Sequence, residues 1–364
     1  MKLHTSPVRG KNESGSCRMM RQVGITVLLC ASLLSIAMAG DFSGPLPADL
    51  RAWKLAFVRD NTIWVANGDG SEQKLIIENG QNPSWSHDKS RIAFVRDTTI
   101  WVAMADGSDQ RPVTSGWKSN DANRDPFIPA VEISWNPMGD SLTFSRPDTF
   151  EAVRVAAHAA GKAPHNSTKG IIAGSSIFDV PLGAQEQSKV VVRFDLYKGG
   201  TGFFFADNAH PAWSPTGDRL AFTRNGDIWI AEVEKDSEGG PPIGWDVKRI
   251  AAVASYDEPT SRGSRSNIGA TRLSWHPNGR ILAYGYDRLQ GSGFNEIHLL
   301  DTINGRSSVI VEDALHPDFS PDGNYIVYWT YSSEQCGTGI CICAGSLDGT
   351  IRHRLVENGK DPVW

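Results

Sequence analysis

The feature that most constrains the fold is a short phrase that recurs along the chain. The phrase is an aromatic residue, a turn that usually contains Pro and Gly, and an apolar stretch that ends in Phe or Tyr. A triplet of the Ile-Trp-Val type and an Asp-Gly pair often follow. We call the first aromatic residue of each copy its anchor. The anchors of the internal copies are Trp85, Trp135, Trp213, Trp275 and Phe319. Self-similarity at this spacing predicts one structural unit used repeatedly.

Each copy is predicted to contain four short strands. The first strand ends at the anchor, because Pro fixes φ and Gly accepts positive φ in the turn that follows. The second strand runs to the Phe or Tyr, the third carries the Ile-Trp-Val triplet, and an Asp-Gly turn joins it to the fourth. Four strands in a repeat of about 45 residues are typical of a propeller blade. The fold class is therefore predicted to be all-β, a β-propeller.

The two ends of the chain predict how the ring closes. Residues 358–364 match residues 79–85, so the chain stops just after a first strand. Residues 55–65 supply a second and a third strand with no first strand before them. The last residues are therefore predicted to complete the blade that the first residues begin, which leaves no sheet edge open. With Trp364 as the sixth anchor, the propeller has six blades.

Residues 1–39 are predicted to be a secretory signal peptide. Two arginines precede an apolar run that ends in an Ala-Met-Ala cleavage pattern at 37–39. An uncleaved membrane anchor is the alternative interpretation. Residues 40–50 are then a short linker, and residues 51–364 form the propeller. We expect the protein in the periplasm or outside the cell, with no membrane span after cleavage.

The repeated phrase resembles the WD-like repeat of the TolB-type β-propellers. The copies that carry the resemblance best are Trp213-Ser-Pro-Thr-Gly217 and Phe319-Ser-Pro-Asp-Gly323, together with the final Pro-x-Trp strand at 362–364. The resemblance covers residues 50–364 and implies a six-bladed propeller closed by its C-terminal strand. TolB-type proteins have an α/β domain before the propeller. We expect this chain to lack that domain, because only about ten residues separate the predicted signal from the first blade.

The charge of the chain excludes some classes of partner. The net charge is -5, and it becomes more negative once the mainly basic residues 1–39 are removed. No run of Lys or Arg remains, so nucleic acid and anionic lipid surfaces are not expected as partners. We expect a monomer that binds a protein or a component of the cell envelope.

Long segments between the predicted strands collect on one face of the propeller, where strand 4 joins the next strand 1 and strand 2 joins strand 3. Loops carried by a rigid scaffold are where binding surfaces are usually built. Drift in loops that tolerate insertion is the alternative. A large insertion is predicted in the third repeat, at 146–188, and only the segment 234–245 falls on the opposite face. The other long segments on the first face are 115–130, 254–270 and 330–339.

Three residues before each anchor, the first strand enters from this same face, beside the central channel. All six residues at this position are polar, and sixfold geometry would place them in a ring around the channel mouth. A ligand-binding pocket is one interpretation. Two His with a Glu and an Asp could instead hold a divalent metal, although no cofactor is otherwise expected. The third interpretation is that these polar side chains only cap a hydrated channel. The six residues of this predicted ring are Asn82, Glu132, His210, Arg272, His316 and Asp361.

Three cysteines follow the predicted signal, at 336, 341 and 343. Their spacing suits one local disulfide and one remaining thiol. A Cys336–Cys341 bond would staple a hairpin loop, with Cys336–Cys343 pairing or free thiols as alternatives. A zinc site would need a fourth ligand.

The sequence favours a binding protein over an enzyme. It contains no G-x-S-x-G, H-E-x-x-H or Gly-rich phosphate-binding motif, and six blades use the whole length after the signal. We therefore expect an exported, non-catalytic protein-binding or scaffold propeller. The alternative is an enzyme acting at the channel mouth, a metal-assisted lyase or hydrolase of a sugar or lactone, which would use the acidic and histidine members of the ring.

Overall fold

The computed structural model shows six four-stranded antiparallel sheets, together with one two-stranded sheet. The predicted signal peptide lies outside the described residues, as does most of the two loops predicted between strand 4 and the next strand 1. The structure describes residues 48–114, 132–155, 167–182, 189–192, 196–199, 202–205, 208–234, 244–253, 269–287, 295–349 and 351–364.

The strands are numbered in chain order. The first thirteen are β1 (Lys54–Arg59), β2 (Thr62–Asn67), β3 (Lys74–Ile77), β4 (Gln81–Trp85), β5 (Arg91–Arg96), β6 (Thr99–Met104), β7 (Arg111–Pro112), β8 (Ile133–Trp135), β9 (Ser141–Val155), β10 (Ser167–Pro181), β11 (Lys189–Val192), β12 (Leu196–Gly199) and β13 (Gly202–Phe205). The others are β14 (Asn208–Trp213), β15 (Arg219–Arg224), β16 (Asp227–Glu234), β17 (Gly244–Ala251), β18 (Gly269–Trp275), β19 (Ile281–Asp287), β20 (Asn295–Asp301), β21 (Arg306–Glu312), β22 (Ala314–Phe319), β23 (Tyr325–Thr330), β24 (Cys341–Ser346), β25 (Arg352–Glu357) and β26 (Lys360–Val363). The described helices are a 3-10 turn at Ala48–Ala52 and α1 at Ser333–Cys336.

The last strand of the chain completes the first blade, as the sequence predicts. β26 pairs antiparallel with β1, so that Val363 lies opposite Ala56 and Lys360 opposite Val58. The sheet order β26-β1-β2-β3 joins the two ends of the propeller in one blade. The next blades are β4–β7, β8–β11, β14–β17, β18–β21 and β22–β25, and we number them two to six. The prediction of an all-β, six-bladed propeller is confirmed.

The anchors hold neighbouring blades together. Trp135 and Trp275 are buried, and their indole N–H groups donate to the backbone oxygens of the preceding blades, at 2.8 Å to Ser84 and 2.9 Å to Ala212. Arg91 and Arg219 stack over these two indoles from the preceding blades, with centroid distances of 4.9 and 4.8 Å. Wide aromatic surfaces are therefore buried between the sheets, which explains why the anchors recur.

The turn after each of the five internal anchors needs a left-handed residue. Glycine fills this position in four blades because it accepts positive φ without a steric penalty. In the second blade the position is held by Lys89, with φ 57°. The four glycines are Gly139, Gly217, Gly279 and Gly323, with φ between 68° and 77°.

Lys89 lies where the ring closes. Its ammonium group donates to the backbone oxygen of Trp364 at 2.5 Å, and the Trp364 backbone N–H donates to the Asp318 carboxylate at 2.9 Å. Residues of the second and sixth blades therefore both bind the end of β26. Burial lowers the pKa of Lys89, and the attraction of Asp318 opposes that shift.

The predicted insertion at 146–188 requires a correction. β9 and β10 pair continuously from Ser141 opposite Pro181 to Val155 opposite Ser167, forming one long hairpin. The end of β10 carries the buried residues Ile177, Phe178 and Val180. The third strand of this blade thus lies inside the segment that was predicted to be an insertion. The sequence misleads because Phe178 takes the place of Trp in the third-strand triplet, and because the hairpin continues beyond the blade.

Two further features depart from the predicted boundaries. The predicted linker at 40–50 overlaps the 3-10 turn, and Leu50 is fully buried against the first blade, so the packed structure begins before residue 51. The hairpin of β12 and β13 is a separate sheet between the third and fourth blades, and the repeat does not predict it. None of the helices in the described parts of the chain is long and apolar enough to cross a membrane.

Candidate functional site

Five of the six ring residues share an unusual backbone conformation. In each of their strands the pairing register shifts across the ring position, as it does at a β-bulge. A bulge re-aims the side chain it carries. A left-handed residue other than Gly costs roughly 1 kcal/mol or more, so the repeated strain marks a feature that the surrounding structure enforces. The φ angles are 49° for Asn82, 52° for His210, 25° for Arg272, 53° for His316 and 51° for Asp361.

The ring contains two carboxylate–imidazole pairs, each formed between neighbouring blades. Nδ1 of His210 lies 2.6 Å from Oε2 of Glu132, which directly precedes β8. Nδ1 of His316 lies 2.6 Å from Oδ1 of Asp361. The Asp361 carboxylate accepts from Nδ1–H of His316, whereas the contact of Glu132 with His210 is close but lacks hydrogen-bond geometry.

Both carboxyl groups are buried, with 11% and 10% of the side chain exposed for Glu132 and Asp361. Burial alone would raise their pKa values. Attraction to His210, Arg272 and His316 nevertheless lowers the pKa of Glu132. The His316 imidazole, with Arg272 and Lys360, lowers the pKa of Asp361 in the same way. Both groups are therefore ionised near neutral pH.

Arg272 lies close enough to act on both carboxylates, yet it pairs with neither. Within the part of the chain that the structure describes, its guanidinium forms no hydrogen bond and no ion pair. The side chain is half-buried and lines the central cavity. Arg272 therefore presents five N–H donors that the described protein does not use.

A cavity of about 410 Å³ lies in the central channel, and three of the six ring residues line it together with the turns that follow the anchors. Asn82, Glu132 and Arg272 line it at the mouth, and Lys89 lines it near the turns of the opposite face. Asn82 makes polar contacts of its own. The cavity therefore leaves room for a ligand beside the Arg272 guanidinium, which has no partner among the described residues.

Below the mouth, polar side chains are used to join the blades. The Ser134 hydroxyl accepts from the Trp213 backbone N–H at 3.0 Å. The Ser274 hydroxyl accepts from the Phe319 N–H at 3.2 Å and donates to Asp318 at 2.7 Å. These residues precede the anchors by one position, and the sequence interpretation missed them. The recurrence of Ser at that position is the signal that would have found them.

The four side chains that could bind a metal are divided between the Glu132–His210 pair and the Asp361–His316 pair. The guanidinium of Arg272 lies between the two pairs. Among the described residues, no three His, Cys, Asp or Glu side chains are grouped so as to hold a metal ion. The arrangement offers a fixed cation, two imidazoles and two buried anions, which suit hydrogen bonding to a polar ligand.

The cysteines lie in the β23–β24 hairpin of the sixth blade, with Cys336 in the loop and Cys341 and Cys343 on β24. The sulfur atoms of Cys336 and Cys341 are in bonding contact, with the Cα atoms 5.4 Å apart. Cys343 is a buried free thiol whose Sγ lies 3.7 Å from that of Cys341. Burial raises the pKa of Cys343 to about 12. The disulfide stays a prediction for chemical test.

Comparisons with known proteins identify the fold. No protein-family model matches the chain, and no curated protein matches its sequence. TolB from Acinetobacter baumannii is similar in structure, with a TM-score of 0.57 and 19% identity over 88% of this chain and 68% of that one. A putative TolB from Agrobacterium tumefaciens gives a TM-score of 0.50 and 12% identity over 83% of this chain and 87% of that one. A chain from a nidogen/laminin complex gives a TM-score of 0.51 and 10% identity over 85% of this chain and 97% of that one.

The class of protein is therefore the six-bladed β-propeller. The resemblance to TolB-type propellers that the repeat indicates is confirmed for the fold. At these identities the comparisons establish architecture alone.

Proposed function

We propose that this protein is an exported, non-catalytic binding propeller. Its channel mouth, with the loops around it, holds a segment of another protein or of a cell-envelope component. One observation carries the proposal: Arg272, which has no partner among the residues that the structure describes, stands between two carboxylate–imidazole pairs and lines a cavity. Pockets with a few convergent polar groups are the usual form of a binding site.

The export of the protein is part of this proposal. It rests on the basic, apolar and Ala-Met-Ala pattern of residues 1–39. The use of the fold for protein contact is consistent with its occurrence in a nidogen/laminin complex. In this proposal the protein acts as a monomer.

The test is capture of a partner by the full-length protein from a solubilised envelope fraction. The variant is His210→Asn with His316→Asn, because Asn tolerates the left-handed backbone and still donates to the carboxylates. We expect the band captured by the natural protein to fall at least tenfold with this variant, since it removes both imidazole Nε2 atoms, and two lost hydrogen bonds to the partner are worth about 1–3 kcal/mol together.

The matched control is Arg306→Gln, because Arg306 is exposed on β21 and does not line the cavity. It should leave the captured band unchanged. Thermal unfolding of each variant shows that it is folded. Equal capture by the natural protein and the double variant would overturn the proposal.

A second candidate function is acid–base catalysis at the mouth. The observation that favours it is the pair of imidazoles whose Nδ1 atoms are held by carboxylates at 2.6 Å. This arrangement orients a histidine for proton transfer at Nε2. Incubation with lactones and with uronic-acid oligosaccharides distinguishes the two functions. Turnover that the His316→Asn variant loses would show an enzyme.

A further inference from the structure

The six ring side chains are sorted by charge around the mouth. The order of the blades places acidic and amide side chains on three successive blades and cationic or basic side chains on the other three. The mouth is therefore polarised rather than uniformly polar. In blade order from one to six, the residues are Asp361, Asn82, Glu132, His210, Arg272 and His316.

Arg272 is at the centre of the basic half. A histidine flanks it on the blade at each side, and it faces the cavity across from the acidic half. Its φ of 25° holds the backbone in a conformation that Arg rarely adopts. A half-buried guanidinium with unused donors is unusual, because polar groups withdrawn from water normally find partners.

The nearby carboxylates are already committed elsewhere. Glu132 and Asp361 each lie 2.6 Å from the Nδ1 atom of a histidine, and Arg272 acts on both carboxylates only through the longer-range attraction that lowers their pKa values. The planar guanidinium of Arg272 is thus left to bind a chemical group of a ligand.

We infer that Arg272 binds a carboxylate of the ligand, either the C-terminal carboxylate or an acidic side chain of the captured segment. This inference rests on the proposed function. A carboxylate matches the guanidinium fork with two parallel hydrogen bonds. It also carries a single negative charge. A phosphate would bring a second charge towards the ionised Glu132 and Asp361, so the acidic half of the ring selects against it.

The experiment titrates the full-length protein with two small probes of the same size and different charge. N-acetylglycine carries a free carboxylate, and N-acetylglycinamide carries a neutral amide in its place. Ligand-observed NMR or calorimetry measures each dissociation constant. We expect N-acetylglycine to bind at least tenfold more tightly than the amide, as a charge-assisted pair predicts.

Arg272→Gln should remove this preference, and Arg272→Lys should keep a weaker one, since Lys retains the charge without the fork. Arg306→Gln is the matched control, because Arg306 is exposed on β21 of the same blade. It should bind N-acetylglycine as the natural protein does. Thermal unfolding confirms that each variant is folded, and inorganic phosphate is titrated in parallel.

Equal binding of the two probes, or a preference that survives in Arg272→Gln, would overturn the inference. Tighter binding of inorganic phosphate would overturn the choice of carboxylate. If the Asn double variant loses partner capture but N-acetylglycine does not bind, the carboxylate assignment fails and the binding function stands. If N-acetylglycine binds through Arg272 and capture is unaffected, the proposed function fails.

Discussion

Glu132 illustrates how the tertiary environment sets the chemistry of a single side chain. A buried carboxyl group would ordinarily become neutral, since burial disfavours the charged form. Here the attraction of His210, Arg272 and His316 outweighs burial and lowers the pKa of Glu132. The four groups come from four blades, so the effect exists only in the folded ring.

The lowered pKa of Glu132 predicts a pH dependence of stability. A carboxyl group whose pKa is lower in the folded state stabilises the protein above the unfolded-state pKa, and this contribution is lost as pH falls through the folded-state value. Glu132→Gln should therefore lower the free energy of unfolding near pH 7 by about 1–3 kcal/mol. The loss should shrink as pH falls below the ordinary glutamate pKa and through the lowered folded-state pKa of Glu132, where the natural side chain becomes protonated.

Urea denaturation at a series of pH values measures this effect. Glu72→Gln is the control, because Glu72 is 69% exposed and pairs only with an exposed Arg51. Its free energy of unfolding should change by no more than about 0.5 kcal/mol. A Glu132→Gln curve parallel to that of the natural protein across the acid range would contradict the prediction.

The hairpin of β23 and β24 is the element that carries the cysteine chemistry. The loop between these strands contains α1, which ends at Cys336, and β24 begins at Cys341. Cys343 lies two residues further along the same strand and is buried opposite Tyr328. The hairpin thus brings three sulfur atoms together. Its free thiol, Cys343, is buried and not accessible to water.

Thiol titration of the denatured protein should show two additional thiols when a reductant is added. Cys343→Ser should preserve this increase of two, and Cys336→Ser should abolish it. In the folded protein Cys343 should not react near pH 8, because burial raises its pKa to about 12. An increase that Cys336→Ser retains, or that Cys343→Ser abolishes, would assign the bond to other cysteines.

Closure of the ring is the property on which the whole molecule depends. The ring of polar side chains exists because Asp361 and Glu132 are carried by the first and third blades of one closed toroid. β26 supplies the inner strand of the first blade, and Trp364 follows it into a buried position. Trp364 packs edge-on against Trp53, with the ring centroids 5.9 Å apart.

Trp364→Ala should lower the free energy of unfolding by about 3–5 kcal/mol, the usual cost of emptying a buried Trp site. Guanidinium denaturation followed by circular dichroism measures it. Ile303→Ala is the control, since Ile303 is 75% exposed, and it should stay within about 0.5 kcal/mol. A loss below about 1 kcal/mol for Trp364→Ala would show that the closing strand adds little to stability.

The repeat predicts most of the fold because it records local rules. The anchors, the Pro-x-Gly turns and the match of 358–364 to 79–85 are each legible in the printed sequence. The failures occur where a long-range pairing overrides the pattern. β10 has Phe178 where the repeat predicts Trp, and it extends beyond its blade. For these two reasons the sequence pattern predicts an insertion where the third strand lies.

The sequence by itself determined the blade, the number of blades and the strand that closes the propeller. Turn residues and strand alternation act over a few neighbours, so they can be read from one chain. Only the tertiary structure decided which ring residues pair. Glu132 and His210 lie on neighbouring blades and are 78 residues apart in the sequence. The tertiary structure alone also shows that Arg272 has no partner in the described part of the chain, since a side chain's partners depend on contacts between blades and not on its own strand.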